Sequence, residues 1–209
     1  MISIDDEIRQ SRQAAEQIAM YDPDKKLWNP QSNPKPVDVA PSKVDFSGIK
    51  TTNGRKYNPE YISYIHDRLK KSNLSTNHVT DILANIIEES GGNPFAIDKT
   101  GKFYGLLQWA SDRYTPTGEK NVYKEIDNQV DTILATINNT KDKISWTHGG
   151  SGTGYNSLND AYNDFNSDSL DTSMRGFTLG YVRPTGKLDS YNNRLKVAKQ
   201  IDTLKGYRR

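Results

Sequence analysis

The residue of this sequence best suited to chemistry is Glu89, a carboxylic acid that continues the apolar stripe of a predicted helix. Between residues 75 and 90, apolar side chains recur at steps of three and four, the pattern of an amphipathic helix with one buried face. Glu89 follows Ile82 by seven residues and Ile86 by three. A carboxyl group in apolar surroundings resists ionisation and can donate a proton near neutral pH. The pattern therefore predicts a buried general acid.

The neighbours of Glu89 sharpen this prediction and also supply its alternatives. Glu88 follows Asp81 by seven residues, so it is expected on the opposite, solvated face of the helix. Gly91 and Gly92 are expected to end the helix, which places Glu89 in the last turn, where the helix dipole opposes negative charge. Two other interpretations stay open: the side chain could bend out to solvent, or it could be a structural carboxylate paired with an arginine.

The segment after this helix carries an ordered set of motifs. Glu89-Ser90 is followed by Asn-Pro-Phe-Ala at residues 93–96 and by Gly-Leu-Leu-Gln-Trp at residues 105–109. This order resembles the signature of lysozyme-like peptidoglycan hydrolases, and in particular the phage tail lysozyme family. The resemblance covers about residues 56–209. It continues in Gln129 and in a closing block that contains Phe177, Tyr181-Val-Arg-Pro184, Arg194 and Ala198, although Val182 stands where that block usually has Glu.

The resemblance implies roles for individual residues. Glu89 would be the general acid, and Asp98, nine residues later, would be the partner carboxylate. Asp98 could instead be an ordinary turn residue, because Asp-Lys-Thr-Gly is a good turn sequence, and Asp112 is a third choice. The residues predicted to line a substrate cleft, and to bind sugars by hydrogen bonds and ring stacking, are Ser90, Tyr104, Gln108, Trp109 and Tyr181. The aromatic residues among them could equally form a core cluster.

The predicted fold is mainly α, within the α+β class: a lysozyme-like helical domain with a small β-hairpin lobe, preceded by an extended N-terminal arm. Asn58-Pro59 and Ser75 are suitable helix starts. Glycines and alternating aromatics at residues 95–109 predict the hairpin. Further helices are expected over 122–137, from Ser157 to Phe165, and over 169–181 and 189–204.

The chain is expected to divide near residue 55. Residues 4–20 could form a short helix with a thin apolar stripe, and residues 21–55 hold five of the nine prolines. We therefore expect residues 1–55 to be a helix and proline-rich linker that tethers the protein to other proteins of a phage particle. Residues 56–209 are expected to form the peptidoglycan-cleaving domain.

Composition narrows the function classes. The sequence has 209 residues, no cysteine and three scattered histidines, so we expect no metal site, thiol catalysis or cofactor. A net charge of +2 gives no reason to expect a nucleic-acid surface. No apolar run is long enough for a membrane span, and the N-terminal residues do not resemble a secretory signal. The glycine-rich segment at 148–154 lacks the Gly-Lys-Ser/Thr ending of a phosphate loop.

The expected function is that of a virion-associated glycosidase that acts in the host periplasm or cell wall during genome entry. Its substrate would be the β-1,4 bond between N-acetylmuramic acid and N-acetylglucosamine in peptidoglycan. Two alternatives stay open. A lytic transglycosylase would leave 1,6-anhydro ends on the glycan instead of adding water. A structural tail protein would keep a lysozyme-like fold as a wall-binding module without catalysis.

Overall fold

The computed structural model describes residues 44–52, 54–138, 155, 158–182, 184 and 187–207, and these are mainly helical. They include one two-stranded antiparallel hairpin, β1 (Phe103–Tyr104) and β2 (Trp109–Ala110), with Phe103 opposite Ala110 and Tyr104 opposite Trp109. The predicted fold class is confirmed for this part of the chain. The α-helices, in order, are α1 (Pro59–Lys70), α2 (Thr76–Ser90), α3 (Val122–Asn138), α4 (Leu158–Phe165), α5 (Leu170–Arg175) and α6 (Lys187–Asp202).

Helix α1 begins as its sequence predicts and buries one face. The Asn58 side chain accepts hydrogen bonds from the backbone N–H groups of Glu60 and Tyr61, and Pro59 occupies the first helical position. The apolar residues of this face are in the core: Tyr61, Ile62, Ile65 and Leu69.

Helix α2 is the central helix of the described structure. The Ser75 hydroxyl caps its start, and Gly91 ends it in the left-handed conformation at φ +66°, as predicted. It packs against α1, α5 and α6 and against a π-helix at Gly176–Val182. The predicted solvated face is wrong, because Asp81 and Asn85 are 0% exposed and Glu88 only 6%. Neighbouring segments cover the helix on all sides.

The segment before α1 belongs to the packed core. Val44, Phe46 and Ile49 are buried. The backbone N–H of Lys50 donates to Gln200 Oε1 on α6 (2.8 Å), and Gln200 Nε2 donates to the Lys50 carbonyl (3.0 Å). We call residues 44–52 the N-terminal strap. The last part of the predicted linker, residues 44–52, therefore packs on the domain, while the division near residue 55 stays a prediction. The predicted helix at residues 4–20 and the rest of the predicted tether, up to residue 43, lie outside the described residues.

The π-helix continues α5 without a break and contacts α4 closely. At Gly176 an added Cβ atom would lie 2.3 Å from the Phe165 backbone nitrogen and 2.6 Å from the Ala161 carbonyl oxygen, so only glycine fits. π-Helical turns are rare and often occur at functional sites, and this one carries Phe177 and Tyr181. The sequence predicts helix here but not its widened turn. Ser157, the predicted cap of α4, lies outside the described residues, and within them no helix is long and apolar enough to cross a membrane.

Candidate active site

Glu89 lies in the last turn of α2, and its carboxylate forms an ion pair with the guanidinium of Arg194 on α6. The Glu89 side chain is 17% exposed and that of Arg194 is 7% exposed. Arg194 is held in turn by a hydrogen bond from Nη1 to the Ser190 carbonyl (2.9 Å). The contact uses Oε1 of Glu89, while Oε2 has no hydrogen-bond partner among the described residues. One oxygen is therefore anchored and the other can meet a ligand.

This environment differs from the apolar one that the helix pattern predicts. The sequence interpretation of Glu89 as a carboxylate paired with an arginine describes the observed contact. An ion pair does not by itself distinguish a structural carboxylate from a catalytic one. In the sequence, Arg194 stands out only as a member of the closing block. It lies 105 positions after Glu89, and no spacing rule predicts that residues so far apart form one site.

Glu88, the residue before Glu89 on the same helix, makes a different contact. Its Oε1 accepts a hydrogen bond from the backbone N–H of Thr52 (2.8 Å). Glu88 therefore attaches the N-terminal strap to α2. Burial of this carboxylate is explained by that contact, because a buried polar group is costly unless it is hydrogen-bonded.

A cavity of about 990 Å³ adjoins the end of α2. Its lining includes three of the predicted site residues, Ser90, Asp98 and Gln108, but not Glu89. Successive residues of a helix are rotated by about 100°, so Glu89 and Ser90 point to different sides of the helix end. The Ser90 hydroxyl is used locally, donating to the Ile86 carbonyl (3.2 Å) and accepting from Gly92 N–H (3.2 Å).

Asp98 organises the turn that leads into the hairpin. Its carboxylate accepts hydrogen bonds from the backbone N–H groups of Thr100 (3.0 Å), Lys102 (2.8 Å) and Phe103 (3.0 Å), and from the Thr100 hydroxyl (2.6 Å). Desolvation on burial raises the pKa of Asp98, but these hydrogen bonds outweigh it and lower the pKa to about 2. Asp98 is therefore ionised, and both of its oxygens are engaged by its own turn.

Gln108 has a strained backbone that points its amide inward. Its φ is +49°, the one positive value at a non-glycine residue in the described part of the chain. Such a conformation costs about 1–3 kcal/mol and is found most often at functional sites. Its Nε2 donates to the carbonyls of Ala96 (3.1 Å) and Gly105 (3.0 Å), so the amide holds the hairpin against the loop that follows α2.

The three predicted aromatic binding residues are buried. Tyr104 is 8% exposed, and its hydroxyl donates to the Gly101 carbonyl (2.6 Å). Trp109 is 2% exposed and packs on Tyr114, with ring centroids 5.1 Å apart. Tyr181 is 1% exposed and stacks on Phe177 at 5.0 Å. None of the three presents an open ring face, so a stacking role for them stays a prediction.

A buried polar network links the hairpin to α3, and Glu125 is the residue of it that sequence reasoning missed. Gln129 Oε1 accepts from the Leu106 backbone N–H (2.7 Å), and its Nε2 donates to the Pro94 carbonyl (2.7 Å) and to Glu125 Oε1 (2.8 Å). Glu125, 2% exposed, also accepts from the Tyr114 and Thr117 hydroxyls. The signal available in the sequence was the spacing of four residues between Glu125 and Gln129, which places both side chains on one face of a helix.

No group of acidic residues and histidines in the described part of the chain could hold a metal ion. His78 is partly buried and stacks on Phe165 with ring centroids 4.0 Å apart. Desolvation lowers the pKa of both His66 and His78. Both are accounted for by core packing, and His148 lies outside the described residues.

Comparison with known proteins agrees with this architecture. The sequence profile of the phage tail lysozyme family matches residues 60–204, which include α1 from its second residue, the Glu89 helix, the hairpin and all of α6. No curated protein and no solved structure matches the chain. Because the family match spans well over half of the sequence, the chain belongs to the phage tail lysozyme family.

Proposed function

We propose that this protein cleaves the β-1,4 bond between N-acetylmuramic acid and N-acetylglucosamine, with Glu89 as the general acid. Family membership supports a lysozyme-like peptidoglycan hydrolase in general. The observation that carries the specific proposal is the position of the Glu89 carboxyl group and its contacts. It lies in the last turn of the central helix, next to Ser90; one of its oxygens is fixed by Arg194, and the other has no partner among the described residues.

In the proposed reaction, Glu89 donates a proton from Oε2 to the oxygen of the leaving sugar as the glycosidic bond breaks. Arg194 is a positioning residue, because its guanidinium holds Oε1 and so sets the direction of Oε2. Accurate placement of a catalytic group contributes substantially to rate. In hydrolysis, water then adds to the sugar carbon, and its proton returns to the Glu89 carboxylate.

One observation favours a second candidate, lytic transglycosylation. Hydrolysis by a pair of carboxylates would use Asp98 as the second one, but its two oxygens already accept four hydrogen bonds from the turn. A transglycosylase needs only one acid. In that reaction, the 6-hydroxyl of the muramyl sugar attacks its own C1, and its proton passes to the Glu89 carboxylate. The product has a 1,6-anhydro ring and is lighter by one water.

Mass analysis of the products from purified peptidoglycan tests both candidates. Reducing muramyl ends would support hydrolysis, and anhydromuramyl ends would support transglycosylation. A structural tail protein that only binds the wall would release neither, and that result would contradict the proposal. In the same assay, Asp98→Asn should reduce turnover about a hundredfold, roughly 3 kcal/mol, if Asp98 supports the charged transition state. Near-normal turnover would remove it from the mechanism.

We also propose that the protein is carried in the phage particle and acts in the host periplasm or wall. The family supports a virion-associated protein. Since the N-terminal strap packs on the domain, attachment to other particle proteins would fall to residues 1–43. A fragment that begins just before Val44 should cleave peptidoglycan as fast as the whole chain but fail to enter particles. Incorporation of this fragment would contradict the tether.

A further inference from the structure

The cavity beside the end of α2 has the features of a second binding site. One wall is residues 55–59, and the other is formed by the loop after α2, residues 90–99, with Gln108. The walls meet where the Asn58 backbone N–H donates to the Gly91 carbonyl (3.0 Å). At Gly91 an added Cβ atom would lie 2.4 Å from the Lys56 carbonyl oxygen, so the approach requires glycine. The cavity is therefore built by specific backbone contacts rather than left between unrelated surfaces.

The charge of the cavity lining is positive. Arg55, Lys56 and Lys99 contribute three cations, and Asp98 is the only carboxylate among the described residues of the lining. The Asp98 oxygens are occupied by hydrogen bonds from its own turn, so they do not compete for a ligand's donors. Three cations against one internally satisfied anion favour a ligand that carries negative charge.

The lining also offers a hydrogen-bond acceptor. Gln108 uses its Nε2 to hold the Ala96 and Gly105 carbonyls, while its Oε1 has no partner among the described residues. A positive φ fixes the backbone that presents this amide. An acceptor beside several cations suits a ligand with both N–H groups and carboxylates, which is the chemistry of an acidic peptide.

We propose that this cavity binds the acidic peptide that branches from muramic acid in the bacterial wall, through its carboxylates. This inference rests on the proposed function, because it places the peptide of the substrate next to the sugar that Glu89 would attack. The helix geometry supports the arrangement: Glu89 and the cavity-lining Ser90 are consecutive residues on different sides of one helix end. A peptide branch on a sugar bound at one side of the helix end would extend toward the other side.

The direct test is to measure by calorimetry the binding of a soluble stem tripeptide, alanyl-γ-glutamyl-diaminopimelate, to the full chain. The wild type should bind it, and more weakly as salt is added, because the lining cations are exposed to solvent. The triple variant Arg55→Gln, Lys56→Gln, Lys99→Gln should lose about tenfold or more in affinity. The same peptide with its carboxylates amidated should bind no better to the wild type than to this variant.

A matched control removes the same charge elsewhere. Lys70→Gln, Lys124→Gln, Lys199→Gln replaces three exposed cations on α1, α3 and α6, none of which lines the cavity. This control should bind the tripeptide like the wild type. Equal losses in both triple variants, or no tripeptide binding by the wild type, would overturn the site. So would tighter binding of poly(glycerol phosphate), the other common wall anion, through the same three residues.

The cleavage assay separates this inference from the proposed function. The cavity variant should raise KM on intact peptidoglycan severalfold and leave KM unchanged on glycan strands stripped of peptide by an amidase. Tripeptide binding without any wall cleavage would leave the site in place and defeat the proposed glycosidase. Normal cleavage, with equal KM for the cavity variant and the wild type on intact wall, would defeat the site alone.

Discussion

Helices α1 and α2 carry comparable apolar stripes, yet the structure buries their acidic side chains to different extents. On α1, Glu60 and Arg68 lie at or near the surface, and Arg68 pairs with Asp127 and Asp131 where side chains are partly exposed. On α2, Asp81, Asn85 and Glu88 are all buried. The difference lies in the neighbours: α2 is covered by α1, α5, α6, the π-helix and the N-terminal strap.

The comparison shows what hydrophobic periodicity measures. Periodicity identifies the apolar face of a helix, and on α1 this face accounts for most of the buried side chains. For a central helix, later segments cover the remaining faces, and each polar side chain there then needs its own partner. Each of the three carboxylates accepts a hydrogen bond: Glu88 from Thr52, Asp81 from Ser173, and Glu89 from Arg194.

The largest effect should come from the end of α2. Glu89→Gln removes the proposed proton donor, so wall cleavage should fall by a factor on the order of a thousand or more, about 4 kcal/mol or more in transition-state stabilisation. Release of dye from labelled peptidoglycan measures it, with Glu60→Gln on α1 as the matched control. A Glu89→Gln variant that retains cleavage would remove Glu89 from the chemistry.

The second effect concerns Asp81 and pH. Desolvation raises the pKa of Asp81 well above its ordinary value of 3.8, although the Ser173 hydroxyl partly offsets this. The folded state then holds a proton that the unfolded state releases. The Asp81 contribution to stability is therefore full below about pH 4 and is lost as pH rises through the folded-state pKa, with a slope of up to about 1.4 kcal/mol per pH unit.

Denaturant unfolding at several pH values measures this slope. Asp81→Asn should remove it, because the amide does not titrate in that range. Asp131→Asn, which changes an exposed partner of α1, should leave the slope as in the wild type. Parallel pH curves for wild type and Asp81→Asn would show that the buried carboxyl is not the titrating group.

A smaller effect is expected at Glu88. Glu88→Gln keeps an oxygen that can accept the Thr52 N–H, so cleavage should stay within about twofold of wild type. Glu88→Ala loses that acceptor and should cost about 1 kcal/mol of stability. Faster hydrogen exchange in the N-terminal strap would locate the loss. Equal losses of cleavage in Glu88→Gln and Glu89→Gln would contradict the distinct roles of the two carboxylates.

The smallest effect should be on α1. Arg68→Ala removes two ion pairs, at 2.6 Å to Asp127 and 2.9 Å to Asp131, between partly exposed side chains. Such pairs contribute about 0–1 kcal/mol each and are screened by salt. Thermal unfolding should shift by only a few degrees, and less at high salt. A larger loss than that of Glu88→Ala would reverse the contrast between the two helices.

Sequence reasoning predicts the local features well. Helix starts at Asn58 and Ser75, the stop at Gly91 and the hairpin all follow from residue types whose backbone preferences act over a few positions. The Arg194 contact to Glu89, the burial of Glu88 and the anchoring of Gln129 could not be predicted in this way. They join residues far apart in the chain, and only the packed structure decides which of them meet.

The two hydrogen bonds between Lys50 and Gln200 span 150 residues, and the Glu89–Arg194 pair spans 105. During synthesis, a chain that has not yet reached α6 lacks the partner for both. Folding with such distant contacts is slow compared with folding through local ones. We therefore expect the proposed acid to gain its anchor among the last events of maturation, after most of the helical core has formed.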